Sequence, residues 1–225
     1  YVDTFGPGAG LTALPLFAVL RAAAGDLAAR PRLLWYGAKW AASAAVAGSA
    51  ALLFLAALAL TDRRRALLVA LVYGLGSAVW SISSQALYQH GPNELFLSLG
   101  LCLLLHLRGR PAYALGAALA FGAAALCRPT SALVGAAVGL HLLRGERRAL
   151  LGYAAGGLVA AALYGAYQLH YLGSPFTNGQ AIAALAIARE KTGSRSPWQT
   201  PPWLGAVGLL VSPRSEEHTS ELQSR

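Results

Sequence analysis

From Ala149 to Ala188 the chain carries no charged residue at all. A bilayer core is crossed by about 20 consecutive, mostly apolar residues in a helix. Further apolar runs precede that stretch, at 34–60, 66–84, 94–107, 112–127 and 129–143, and the uncharged stretch itself holds a run at 149–171. The runs at 94–107, 112–127 and 129–143 are short for a full crossing. The last two read as a tight hairpin turning at Cys127–Pro129, buried within the bundle. Only 12% of the 225 residues are charged and 56% are hydrophobic. A soluble domain carries about 25% charged residues, and half that supply cannot coat a water-facing surface. The expected fold is all-α, a polytopic transmembrane bundle of about six spanning or hairpin helices. Residues 8–24 are apolar, contain Pro15 and lead into Arg21, Asp26, Arg30 and Arg32. They are expected as a juxtamembrane helix, with a spanning helix as the open alternative.

The net charge of +9 does not point to nucleic acid, because the basic residues do not gather on one face or groove. They come in bursts between apolar runs: Arg63–Arg65, Arg108 with Arg110, and Arg144 with Arg147 and Arg148. Retained cytoplasmic loops carry such bursts. With 8–24 on the surface, every burst of the bundle falls on one side. Trp35, Trp40, Trp80, Trp198 and Trp203 then fall at or near the other, where an amphipathic ring suits the interface. On that outer side lies the loop 173–202, in which Asn178 is expected to cap a short surface helix, Gly179–Lys191, before the apolar stretch Trp203–Val211. Gly152/Gly156 and Ala161/Gly165 are small-residue pairs of the kind that let helices approach closely.

Cys102 and Cys127 make no disulfide framework and read as small buried hydrophobes. The chain begins at Tyr1 and contains no Met, so its native start is expected upstream. Residues 214–225 break from the preceding composition, holding Glu216, Glu217 and Glu221 among nine acidic residues. They resemble a translated sequencing-adapter read-through and are set aside, leaving 1–213 as a partial transmembrane domain.

The most polar stretch of the bundle is Ser81–Phe96, with Gln89, His90, Asn93 and Glu94. Glu94 is the one acidic residue between Asp62 and Glu146. An ionisable group at a membrane edge tends to line a wet cavity; alternatively, Asn93 and Glu94 simply cap the following helix. Arg128 stands alone at the outer turn, where a guanidinium can clamp a phosphate through paired N–H donors. Its plainer roles are snorkelling to headgroups or pairing with Glu94. His106 and His141 read as packed or interfacial, and His170, beside Tyr167 and Tyr171, as an interface residue able to join the site. Zinc, P-loop and nucleophile-elbow motifs are absent, and Gly6–Gly10 follows no strand, so it is not read as nucleotide-binding.

Together these features resemble the polytopic glycosyltransferases of the GT-C fold, bacterial relatives of protein O-mannosyltransferases and of lipid A aminoarabinose transferase. The resemblance rests on Asp3–Pro15, Tyr88–Phe96, Gly122–Thr130, Leu172–Phe176 and Gly205–Pro213, and covers most of 3–213. It implies sugar transfer from a polyprenyl-phosphate carrier to an acceptor, on the non-cytoplasmic face of the plasma (inner) membrane. Glu94 matches the second acidic position of such enzymes, with His90 as a rival register, and Asp3 is the nearest acid to the first. Arg128 matches a basic position for the carrier phosphate, and Gln89, Asn93 and His170 are further candidate substrate contacts. The principal acid is expected upstream of Tyr1, which would leave this piece inactive by itself. No cofactor is implied, and a divalent cation is left open. The expected partners are the lipid bilayer and the polyprenyl-phosphate-linked sugar, not nucleic acid. The competing expectations are a transporter or flippase subunit, and a non-catalytic membrane scaffold.

Overall fold

In a computed structural model of the chain, residues 6–106, 110–145 and 147–175 are described, with Gly179, Ile182, Leu185 and Ala186 beyond them. The chain divides into two units, Tyr1–Gly179 and Gln180–Arg225, and every element named below lies in the first. The described residues are helical, with no strand among them. In order these are α1 (Gly8–Ala24), α2 (Pro31–Leu58), α3 (Arg63–Gly76), a π-helical turn Val79–Ser83, α4 (His90–Leu105), α5 (Pro111–Cys127), a 3-10 turn Pro129–Ser131, α6 (Ala132–Leu142) and α7 (Arg147–Leu172).

Local chemistry sets several of these boundaries. Pro31 and Pro111 open α2 and α5, where a missing N–H costs nothing. Asp62 caps α3 by accepting from the Arg64 and Arg65 amides at 3.0 and 3.1 Å. Gly25, at φ 74°, ends α1 and donates its N–H to Arg21 O at 2.9 Å.

The expected run 66–84 is not one helix. α3 ends at Gly76, Ser77 is extended, and its hydroxyl turns back to Tyr73 O at 2.6 Å. Gly74, Gly76 and Ser77 weaken the helix there, because glycine loses most backbone entropy and serine offers the backbone another partner. Two helices, α2 and α7, are long and apolar enough to cross a membrane, while α1, α5 and the 129–142 segment are shorter apolar helices. The all-α expectation holds, and among the described residues two helices reach spanning length, so a bundle of about six spanning or hairpin helices is not shown.

α5 lies at the centre, packed against α4, α6 and α7, and α4 in turn packs on α2, which carries α3. α4 runs antiparallel to α5: a Cβ at Gly100 would lie 2.6 Å from the Phe121 ring, and one at Gly116 would lie 3.2 Å from Leu103. α7 runs parallel to α5, with Gly152 against Pro111 O and Gly156 against Leu115 O, each with a built Cβ at 2.5 Å. The Gly152/Gly156 pair is thus a helix-packing seam, whereas Gly165 meets only Pro175, at 3.8 Å. α2 runs parallel to α4, since Gly91 faces Val46 and Gly48 faces Leu95.

These directions bring Arg63–Arg65, Arg110, Arg144, Arg147 and Arg148 to one end of the bundle and Arg128 to the other. Arg21, Arg30 and Arg32, in and after α1, stand beyond the Arg128 end. α1 starts against the C-terminus of α5, through Gly8 and Cys127, and packs Phe17 and Leu20 on Gly37 near the start of α2. It begins and ends at the same end of the bundle and does not traverse it.

Side chains are sorted by size in an unusual direction. The fully buried core is mostly alanine, with Ala114, Ala117, Ala118, Phe121, Ala149 and Tyr153 as its centre. The largest side chains with almost no exposure are Pro92, Cys127 and Ser49. Leucines point outward, with Leu133, Leu151 and Leu158 at 73%, 70% and 72% exposure. In water the preference is the reverse, with Leu, Val and Ile inside.

Candidate functional site

Three short segments meet at the Arg128 end: the π-helical turn, the first turns of α4, and the turn joining α5 to α6. Three side-chain hydrogen bonds tie them. Ser83 donates to Glu94 Oε1 at 2.8 Å. Arg128 Nη1 lies 3.3 Å from His90 Nδ1. Ser131 donates to Asn93 Oδ1 at 2.6 Å, both residues being buried.

The backbone explains why they can meet. Gly91 has room only for hydrogen, since a Cβ would lie 3.1 Å from Ser83 O and 3.5 Å from Val46. Arg128 precedes Pro129, a position that disfavours helix, and its extended backbone takes the chain out of α5. Against the last residues of α5 sits Gly6–Pro7–Gly8. A Cβ at Gly8 would lie 2.5 Å from Cys127 N and Sγ, and Gly6, at φ 90°, is pressed on Leu126 O. The glycine-rich opening is therefore a close-packing device beside Arg128.

Glu94 lies within electrostatic reach of both His90 and Arg128, yet it pairs with neither. Among the described residues the ion pair within 4 Å is the exposed Arg65–Asp62 contact, at 3.3 Å. Glu94 Oε2 is buried and has no hydrogen-bond partner among the described residues, a costly state for a carboxylate oxygen. A guanidinium can only donate, so in this contact His90 Nδ1 is the acceptor.

The capping role of Asn93 and Glu94 is overturned. α4 starts at His90, four residues before the expected 94, with Gln89 at the cap position and no side-chain cap bond. Asn93 and Glu94 lie inside the helix and bond to other segments. Pairing of Arg128 with Glu94 gives way to the bond with His90. His170 is exposed at the end of α7, edge-on to Tyr171 with ring centroids 4.6 Å apart, and makes that contact rather than one with the cluster. Asp3, Trp198, Trp203 and Asn178 lie outside the described residues, and of Gly179–Lys191 only four positions are described. His106 turns its Nδ1 to Cys102 O at 2.8 Å.

No family model, curated protein or solved structure matches the chain.

The chemistry of the cluster therefore stands on its own residues. It joins a cation that has no carboxylate partner among the described residues, an imidazole and a carboxylate with one buried oxygen. Beside it a cavity of about 250 Å³ opens between α5, α6 and α7, lined by Phe121, Gly122, Pro129, Gly135, Tyr153 and Tyr164 among others. Pro129 brings its wall to the residue next to Arg128. Tyr153 already donates to Gly135 O at 2.7 Å, which leaves the lining largely apolar.

Two sets of side chains escape sequence reasoning. Ser83 is one of three serines in Ser81–Ser84 and Ser131 stands in an ordinary turn, so only their partners mark them. Tyr73 bonds Ser49 at 3.0 Å, tying α3 to α2, and Ser98 of α4 lies near the same hydroxyl. Ser49 in turn donates to Val46 O at 2.7 Å.

Proposed function

We propose that the chain belongs to a multi-pass membrane glycosyltransferase that moves a sugar from a polyprenyl-phosphate carrier to an acceptor at the non-cytoplasmic face. The inverted packing supports a bilayer environment. When the solvent is lipid, leucine gains nothing by moving inward, and small residues take the helix contacts. The denser arginine end fits the cytoplasmic side, which leaves the Glu94–Arg128 cluster facing outward. α1, confined to that end, fits a juxtamembrane helix.

The single observation that carries the reading is Arg128, held beside His90 and Glu94 and, among the described residues, without a carboxylate partner within 4 Å. In this scheme its guanidinium holds the carrier phosphate, the neighbouring apolar cavity receives the first part of the lipid chain, and Glu94 accepts the proton of the attacking hydroxyl. A charge-assisted hydrogen bond to phosphate contributes about 1.5–3 kcal/mol, and a general base about 10²–10⁴ in rate. In the complete gene product, supplied with a polyprenyl-phospho-sugar, Arg128→Ala should raise the donor KM by about tenfold or more. Glu94→Gln should lower kcat by about a hundredfold or more. Unchanged turnover in both variants removes both residues from the site.

The Ser49–Tyr73–Ser98 group favours a second reading. It continues polarity from Glu94 into the bundle, as a transporter pathway would. Accumulation of substrate in vesicles without a covalent product would favour that alternative. A passive scaffold gives no reason for Glu94 and Arg128 to share one cluster.

A further inference from the structure

We propose that Ser83 is a positioning residue: from the π-helical turn its hydroxyl holds one oxygen of Glu94 and so fixes the orientation of that carboxylate in the cluster with His90 and Arg128. This rests on the sugar-transfer reading of the same site. Ser83 is buried, at 6% exposure, and its Oγ lies 2.8 Å from Glu94 Oε1. Two further contacts border the turn without touching Glu94. Ser43 on α2 donates to Ser84 O at 3.1 Å, and Gly91 lets α4 approach Ser83 O. Ser84, one residue on, turns its hydroxyl back to Trp80 O. Of the two adjacent hydroxyls, only that of Ser83 is aimed at the carboxylate.

The widened turn is what creates this difference. A π-helical turn inserts a residue into helical register and redirects the side chains after it, which is why such turns recur at functional sites. A carboxylate with one oxygen bound to a fixed donor has a defined orientation. Its second oxygen, buried and without a partner among the described residues, is then directed rather than free to rotate. A base must come within about 2.6–3.2 Å of the proton it takes, and a misplacement of about 1 Å can cost a hundredfold. In the step itself, the acceptor hydroxyl gives its proton to the Glu94 carboxylate and its oxygen bonds the anomeric carbon. The bond from that carbon to the carrier phosphate breaks, and the phosphate leaves with the electron pair against Arg128.

The test uses Ser83→Ala, Ser83→Thr and Ser43→Ala in the complete gene product. Ser43→Ala removes a hydrogen bond to the same turn without touching Glu94. With a polyprenyl-phospho-sugar, Ser83→Ala should lower kcat about 10–100-fold and leave the donor KM within about twofold. Ser83→Thr, which keeps the hydroxyl, should recover most of the loss, and Ser43→Ala should stay within about twofold of the unsubstituted protein. In parallel, the Glu94 carboxylate band, assigned by its loss in Glu94→Gln in infrared difference spectra, should shift in Ser83→Ala and not in Ser43→Ala. An unmoved band, an unchanged kcat, or an equal loss in Ser43→Ala overturns the proposal. A shifted band in a protein that transfers no sugar leaves the contact standing and sinks the sugar-transfer reading.

Discussion

Gly8 and Gly10 stand two positions apart in α1 and should respond oppositely to a methyl group. At Gly8 a Cβ would meet Cys127 N and Sγ at 2.5 Å and Leu126 C at 2.7 Å, all at the end of a packed helix. At Gly10 nothing lies within 4 Å. Gly8→Ala is therefore expected to destabilise by about 1–3 kcal/mol, the usual penalty of overpacking. Gly10→Ala should stabilise by about 0.5–1 kcal/mol through lower chain entropy and better helix propensity. Thermal unfolding in detergent micelles checks the pair, and a shared sign would contradict the packing described. Neither outcome could be foreseen from the sequence, where both positions belong to one glycine-rich opening. Arg128 is the opposite case. A lone cation among apolar runs stands out in the residue order alone, because its desolvation demands a reason, whereas its partner His90 is one polar residue among several.

At the scale of elements, polar links inside the bundle are few and separable. Tyr73→Phe removes the hydroxyl that bonds Ser49 across α2 and α3. Interhelical hydrogen bonds in membranes average about 0.6 kcal/mol, so a double-mutant cycle with Ser49→Ala should return a coupling of about that size. A coupling near zero would mean that the hydroxyl contributes nothing to helix association. α5 and α7 offer a second comparison. Gly156→Ala would press a methyl on Leu115 O at 2.5 Å, while Gly157 faces open space. The first substitution should lower the unfolding temperature and the second should not. The Gly152/Gly156 spacing was legible as a candidate seam, though not which helix it meets. The interruption of 66–84 was not legible, because hydropathy continues unbroken across Ser77 while the backbone does not. Asp62 shows what local signals do carry: an Asp before an arginine-led helix is a cap by short-range chemistry alone, and Asp62→Ala should destabilise by about 1 kcal/mol.

For the whole molecule, the decisive arrangement is the separation of the two ends. Asp62 and Gly145 are exposed at the arginine-rich end, and Tyr88 and Thr130 are exposed near the cluster. In a background lacking Cys102 and Cys127, single cysteines at 62 and 145 should be labelled by an impermeant maleimide from one side of sealed vesicles. Cysteines at 88 and 130 should be labelled from the other. Mixed accessibility within either pair would break the sidedness on which the proposed function depends. The sequence by itself determined the helical character, the scarcity of surface charge and the positions of Asp62, Pro111 and Arg128, because these follow from composition and from interactions within a few residues. Only tertiary structure decided that alanine would form the core, that α1 would stay at one end, and that Ser83, Glu94, His90 and Arg128 would meet. Those outcomes depend on which helix faces which, and hydropathy is silent about that when nearly every face is apolar.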